Sequence, residues 1–351
     1  LSNTETIVSV LEGITARNPD HAGALHLYIH AVEASEQPQR GVAAADRLRT
    51  LIPGSGHLVH MPAHIYARVG RYHDAVIANQ KAIEADNVYL AACRPGPNVY
   101  PLGYVPHNHH FLWFAATMGG EREIALASAG QTHARTSIPE LMRKPGFEAM
   151  QNFALTPLFA NVRFGRWEEI RATENPAPDL PYMSAMWHYA RGMAALRLGD
   201  DEASDRHYQA LAAAAADPAI EAMMTWGRYS LIHGVRVAER TLAAERAFAA
   251  GRGDEAVEFL EQGVAIEDEL PYDEPPGWHA PVRQTLGFVH LENGRPELAE
   301  AAYRAELRRN PDNGWSLFGL EQALRAQGKD EDADQVALRF AVAWQHADFE
   351  L

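Results

Sequence analysis

Apolar residues recur at every third or fourth position along nearly the whole chain, alanine is abundant, and the Val/Ile/Thr alternation of a strand is absent. This pattern predicts an all-α fold. Within it the stretch "RVGRYHDAVIANQKAIEADN" (68–87) reads as a turn at Gly70, a second helix opened by Tyr72 and Ala75, Ala82 near its end, and a break at Asp86-Asn87. Comparable endings occur at "RNPD" (17–20), "AAGRGDEAVEFL" (249–260), "LENGRPELAEAAYRAELRRNPDN" (291–313) and "RAQGKDEDADQVAL" (325–338). "RFGRWEEI" (163–170) and "RLGDDEASDRHY" (197–208) match more weakly. Repeat starts at Ala22 and Gly56 lie 34 residues apart, as do the equivalent small residues Ala299 and Ala333. Small residues at these points let two helices approach closely at each turn.

The repeat length and the placement of Gly and Ala resemble the tetratricopeptide repeat (TPR). The resemblance implies a right-handed α-solenoid of about seven to eight helix–turn–helix repeats, with residues 1–351 forming one superhelical domain. In it, 22–135 are the His-rich early repeats and 151–351 the later repeats and C-terminal cap. Residues 4–17 fit the second helix of a repeat whose first helix is missing. The array is therefore expected to be N-terminally incomplete, with an upstream segment or partner covering Ile7, Leu11 and Ile14. "AACRPGPNVYPLGYVP" (91–106) is a Pro/Gly-rich insertion, and "TENPAPDLPY" and "LPYDEPPGWHAP" are further long connections.

In TPR solenoids, positions 2, 5, 9, 12 and 13 of each first helix line the concave groove, a property carried over by resemblance. Positions 2, 5, 9 and 12 also share one helix face by spacing. With Gly56 as position 1, His57, His60 and His64 fall at positions 2, 5 and 9. In the preceding repeat His26, His30 and Glu33 occupy positions 5, 9 and 12. In the next, which starts at Pro106, His107 and His110 occupy 2 and 5, while His109 points elsewhere. Seven of these fifteen groove positions carry histidine, in a chain where histidine is 17 of 351 residues, so random placement puts fewer than one there.

A lone histidine on an apolar face is usually a satisfied core or surface residue. Seven converging imidazoles and a carboxylate leave many polar atoms to satisfy, and protonating them builds mutual repulsion; a bound cation relieves both. Cys93 is the only cysteine, so thiolate clusters are excluded and any ion is held by imidazole and carboxylate. The expected cofactor is a divalent transition metal, zinc first, with iron, copper, nickel or manganese as the others. His26, His30, His60, His64 and His110 are the expected ligands, and Glu33, His57 and His107 the catalytic or supporting groups. Glu33 is either a ligand or a general base. Seven histidines exceed one coordination sphere, so either two ions share the groove or some histidines orient others.

Tyr104 in the insertion, Arg68 beside His64, and Trp278, His279 and Arg283 on a possible far wall are the expected substrate-binding residues. A lid and a mere surface connection are both open for the insertion, as are a far wall and a structural plug for Trp278. The phrases "HLYIHAVEAS", "GHLVHMPAHIYARVGRYHDAVIANQKAI", "YPLGYVPHNHHFLWFAA" and "NGWSLFGLEQAL" are similar to a His-rich group of bacterial TPR proteins, which implies the fold but no reaction.

Net charge is −15 and no Lys/Arg block occurs, which disfavours nucleic acid and anionic membrane surfaces as partners. No signal-peptide pattern or membrane span is evident, and the expected compartment is the cytoplasm. No H-E-x-x-H, G-x-S-x-G, P-loop or dinucleotide fingerprint is present. The leading expectation is a metal-dependent enzyme acting on a small molecule in the groove: a hydrolase using metal-activated water, or an oxidoreductase with iron or copper. The alternatives are a TPR scaffold that binds a peptide, with the metal structural or absent, and a metal-handling protein.

Overall fold

The computed structural model describes residues 2–351. The chain is helical almost throughout, with consecutive helices packed as TPR-like pairs. Among the described residues the strands are those of a two-stranded antiparallel ribbon, Met224–Thr225 with Tyr229–Ser230. Between paired helices the chain turns through a glycine in the left-handed region, at Gly70, Gly120, Gly165, Gly199, Gly251, Gly294 and Gly328. A side chain there is strained whatever the space around it, which is why glycine recurs at these turns. The two weakly matching stretches, around Gly165 and Gly199, turn in the same way.

Contacts divide the chain into two compact units, the first comprising residues 1–128, 307–314 and 338–351, and the second residues 129–306 and 315–337. In the first unit the elements are α1 (Ser2–Arg17), α2 (Ala22–Glu33), α3 (Val42–Leu48), α4 (Gly56–His60), α5 (Pro62–Arg68), α6 (Tyr72–Cys93), α7 (Val105–Gly119) and the start of α8 (Arg122–Thr136). α4 and α5 are one predicted helix interrupted at Met61, because Pro62 has no N–H to continue the ladder. Gly56 lets this helix lie directly on α6: a Cβ there would sit 1.8 Å from a carboxylate oxygen of Asp86. On α1, Val8 and Leu11 are buried, while Ile7 and Val10 are exposed.

α6 differs from expectation in running on to Cys93 rather than breaking at Asp86-Asn87. Asp86 is fully buried and serves as an anchor: its carboxylate accepts hydrogen bonds from Tyr100 Oη (2.6 Å) and Asn108 Nδ2 (2.8 Å). The insertion is thereby tied down, and it enters α7 through a π-helical turn at Tyr100–Tyr104. The C-terminal segments belong to this unit as well. Asp348 accepts from the Arg122 and Glu123 backbone N–H groups (2.9 and 2.8 Å), capping α8, and the His346 ring stacks on His73.

The second unit pairs Thr156–Arg163 with Trp167–Arg171, Pro181–Arg197 with Asp201–Ala214, and Ile232–Ala249 with Gly253–Glu269. Val282–Glu292 follows, and the three helices after it, Pro296–Arg309, Gly314–Ala326 and Asp330–Ala343, contribute residues up to 306 and from 315 to 337. Among the described residues no helix is long and apolar enough to cross a membrane.

Candidate metal centre

α2, α4, α5 and α7 present their histidines as two triads. The inner one is His60, His64 and His107; the outer one is His26, His30 and His57, and within each triad the nitrogens lie within 4.8 Å of one another. His60 and His64 are 0% and 3% exposed, whereas His30 stands open to solvent.

Hydrogen bonds fix the tautomers of the inner pair. Asn79 Nδ2 donates to the Ala75 carbonyl (2.8 Å), so its Oδ1 faces His60 Nδ1 (2.7 Å), which must carry the proton. His64 Nδ1 meets Glu33 Oε2, an acceptor-only partner, and must also be protonated. Both Nε2 atoms are then lone pairs, and they face each other at 2.7 Å. His107 Nε2 lies 3.1 Å from His60 Nε2. Two lone pairs at this distance repel unless a cation lies between them.

A proton is a poor candidate for that cation. Burial, followed by the neighbouring His64 and His107, holds His60 well below the ordinary imidazole range. A divalent ion suits the donor set. Zn–N bonds of about 2.0–2.1 Å in tetrahedral geometry separate nitrogens by about 3.3 Å, so the His60–His64 pair would open by about 0.6 Å and the His60–His107 pair by about 0.2 Å. The arrangement of carboxylate or amide, imidazole and then lone pair is the usual support for a metal-binding histidine.

In the outer triad His30 is the ring oriented in this way. His30 Nδ1 is held by Glu33 Oε1 (2.7 Å), which turns the His30 Nε2 lone pair outward. The Nε2 atoms of His26 and His57 are 3.1 Å apart. Burial and then the adjacent histidines lower His57 to about 4; burial, His30 and His64 lower His26. Tyr104, at the edge, has its ring 4.8 Å from His57 and 5.6 Å from Tyr100.

Glu33 therefore joins the triads, one carboxylate oxygen to each. Burial on its own would raise its carboxyl, but His64 and His30 together pull it down to about 2. With one oxygen engaged by His30 Nδ1 and the other by His64 Nδ1, the Glu33 carboxylate orients both rings. His57 and His107, expected as catalytic groups, belong to the two histidine groups that could hold an ion. His110, expected as a ligand, is in neither triad; it is buried beside Trp113, with ring centroids 5.0 Å apart. On a helix a residue three positions on is offset by about 60° and one four positions on by about 40° the other way. From His107 the facing stripe thus continues to Phe111, whose ring is 5.1 Å from His60 and 5.2 Å from His64.

The remaining expected residues are placed as follows. Arg68 donates to the carbonyls of Glu33, Ser35 and Arg309, so its guanidinium clamps backbone. Arg283 is bound by both donor arms to the Asp268 carboxylate and offers no free fork. Trp278 is buried with its ring 5.5 Å from Tyr189, and His279 stacks on Phe159 at 4.9 Å; all of these belong to the second unit. Sequence reasoning missed Asn79. Its signal is a polar residue within the apolar stripe of "AVIANQKAI".

No family model matches the chain, and no curated protein does. Among solved structures it is similar to that of Naa15/Naa10 bound to HypK-THB, at 15% identity and a TM-score of 0.33. That likeness covers 96% of this chain, which spans 58% of the length of the other.

Proposed function

We propose that the first unit is the metal centre of an enzyme acting on a small molecule, with hydrolysis as its chemistry. The observation that carries this reading is the pair of converging Nε2 lone pairs on His60 and His64, each fixed by a separate hydrogen bond behind the ring. Three imidazoles per triad is the ligand count of a catalytic zinc site, which keeps one position open, rather than of a closed structural site. A divalent ion there supplies a Lewis acid and, by polarising water, a nucleophile at neutral pH.

The protein's own groups have separable roles in this proposal. Asn79 and Glu33 hold the ring orientations of His60, His64 and His30, so these rings need not turn over when the site loads. Phe111 closes the inner triad with an apolar wall, and the more exposed outer triad, with Tyr104 at its edge, is the side open to a substrate. His57 Nδ1 is buried, and among the described residues it has no hydrogen-bond partner.

The test is hydrolysis of a panel of small esters, amides and phosphoesters by protein loaded with zinc, manganese or iron. Activity that is lost on chelation, restored by one ion, and abolished in His60→Ala/His64→Ala supports the proposal. A rate unchanged by chelation and by the double substitution overturns it.

A further inference from the structure

The second unit contains buried polar atoms that the metal centre does not use. Arg163, in the last turn of the helix Thr156–Arg163, stacks on Trp315, with its guanidinium carbon 3.7 Å from the ring centroid. Its Nη2 donates to Gln284 Oε1 (2.6 Å), and Gln284 in turn donates to Ser316 Oγ (3.3 Å). The Arg163 Nε–H is buried with no hydrogen-bond partner. In the stacked geometry this N–H lies in the guanidinium plane, so the indole face does not satisfy it.

His279 is the second such group. Its ring is sandwiched edgewise and facewise by Phe159 (4.9 Å, interplanar 7°), Trp278 (4.5 Å) and Tyr189 (5.9 Å), and both of its nitrogens are buried without a partner. Phe159, on which His279 stacks, lies four residues before Arg163 on the same helix, so His279 and Arg163 stand over one helix face a turn apart. Among the described residues no ion pair is made by Arg163. Glu306 attracts both it and Arg283, and Arg283 is bonded to Asp268.

A buried guanidinium without a hydrogen-bonded anion is costly, and so is an imidazole with two unsatisfied nitrogens. One ligand chemistry relieves both. A carboxylate offers one oxygen to Arg163 Nε–H and the other to a His279 N–H, and a hydroxyl beside the carboxylate donates to the second ring nitrogen. An ammonium or other cation fits poorly, because Arg163 repels it. A purely apolar ligand leaves all three atoms unsatisfied.

We propose that Arg163 and His279 form a binding site for a small carboxylate, preferentially a 2-hydroxy acid, within the second unit. The site is separate from the histidine triads and does not depend on a metal.

Trp278 and Trp315 flank the two groups, so the probe is intrinsic tryptophan fluorescence of the full chain. Acetate, glycolate and acetamide are titrated at constant ionic strength into chelated protein and into the His60→Ala/His64→Ala variant. The expected result is a saturable change with acetate, tighter binding of glycolate and no saturation with acetamide, the same in both proteins. Arg163→Lys, which keeps charge but removes the Nε–H, and His279→Phe, which keeps the stacked ring, each weaken binding about tenfold, the scale of one charge-assisted hydrogen bond. Circular dichroism verifies that both variants are folded. Responses that do not saturate, that are equal for acetate and acetamide, or that persist unchanged in both variants overturn the site. Responses that vanish only in the His60→Ala/His64→Ala variant also overturn it, assigning the carboxylate to the triads instead.

Discussion

Glu33→Gln changes one atom and keeps shape and volume, yet it cannot satisfy both of its partners. The carboxylate accepts from His30 Nδ1 through one oxygen and from His64 Nδ1 through the other. The amide has one acceptor and one donor end. Whichever histidine faces the amide NH2 must present Nδ1 as a lone pair, and its proton moves to Nε2. That nitrogen then points a hydrogen into its triad and is lost as a ligand. Loss of an orienting partner typically costs 10- to 100-fold in metal affinity, equivalent to about 1.4–2.7 kcal/mol. The assay is zinc titration against a competing chelator, with stoichiometry read by mass spectrometry. The expected outcome is one triad weakened by at least tenfold and the other retained. Unchanged affinity and stoichiometry in folded Glu33→Gln would refute the tautomer argument.

Three further outcomes follow from the same geometry. Asn79→Leu leaves the buried His60 Nδ1–H without an acceptor, which costs about 1–3 kcal/mol in urea unfolding and weakens the inner triad alone; equal weakening of both triads contradicts it. Acid weakens the chelated protein. Burial pushes His110 to about 3 and His57 to about 4, both below the ordinary 6.5, so as pH falls the unfolded chain takes up protons first. This stability is complete above 6.5 and is lost progressively from there towards about 3, at most about 1.4 kcal/mol per pH unit for the buried His110; a Tm that stays flat across that range contradicts it. Gly70→Ala places a Cβ 2.6 Å from the Pro311 carbonyl at φ +80°, so calorimetry is expected to register a loss of about 1–3 kcal/mol, and an unchanged Tm removes the close-approach account.

Helix periodicity and the turn glycines made the repeat class legible, because both signals are local. The groove positions singled out the six histidines that the two triads contain, since one helix face is set by spacing alone. His110 shows the limit of that rule. Position 5 of its repeat lies to one side of the facing stripe, and only packing decides that Phe111 takes the place beside His60 and His64. Asn79, on a second helix, and the anchoring role of Asp86 were illegible for the same reason: each depends on a partner from elsewhere in the chain. Arg283 was the visible arginine, but its partner Asp268 lies fifteen residues back on another helix, and Arg163 became notable only through what it does not bond.

The most direct test of the central claim is metal analysis by mass spectrometry of protein purified without chelators, beside His60→Ala/His64→Ala with its fold verified by circular dichroism. The account predicts stoichiometric divalent transition metal in the native protein and loss of the inner-triad ion in the variant. No stoichiometric metal in the native protein even after dialysis against zinc, or equal metal in both proteins, would contradict it.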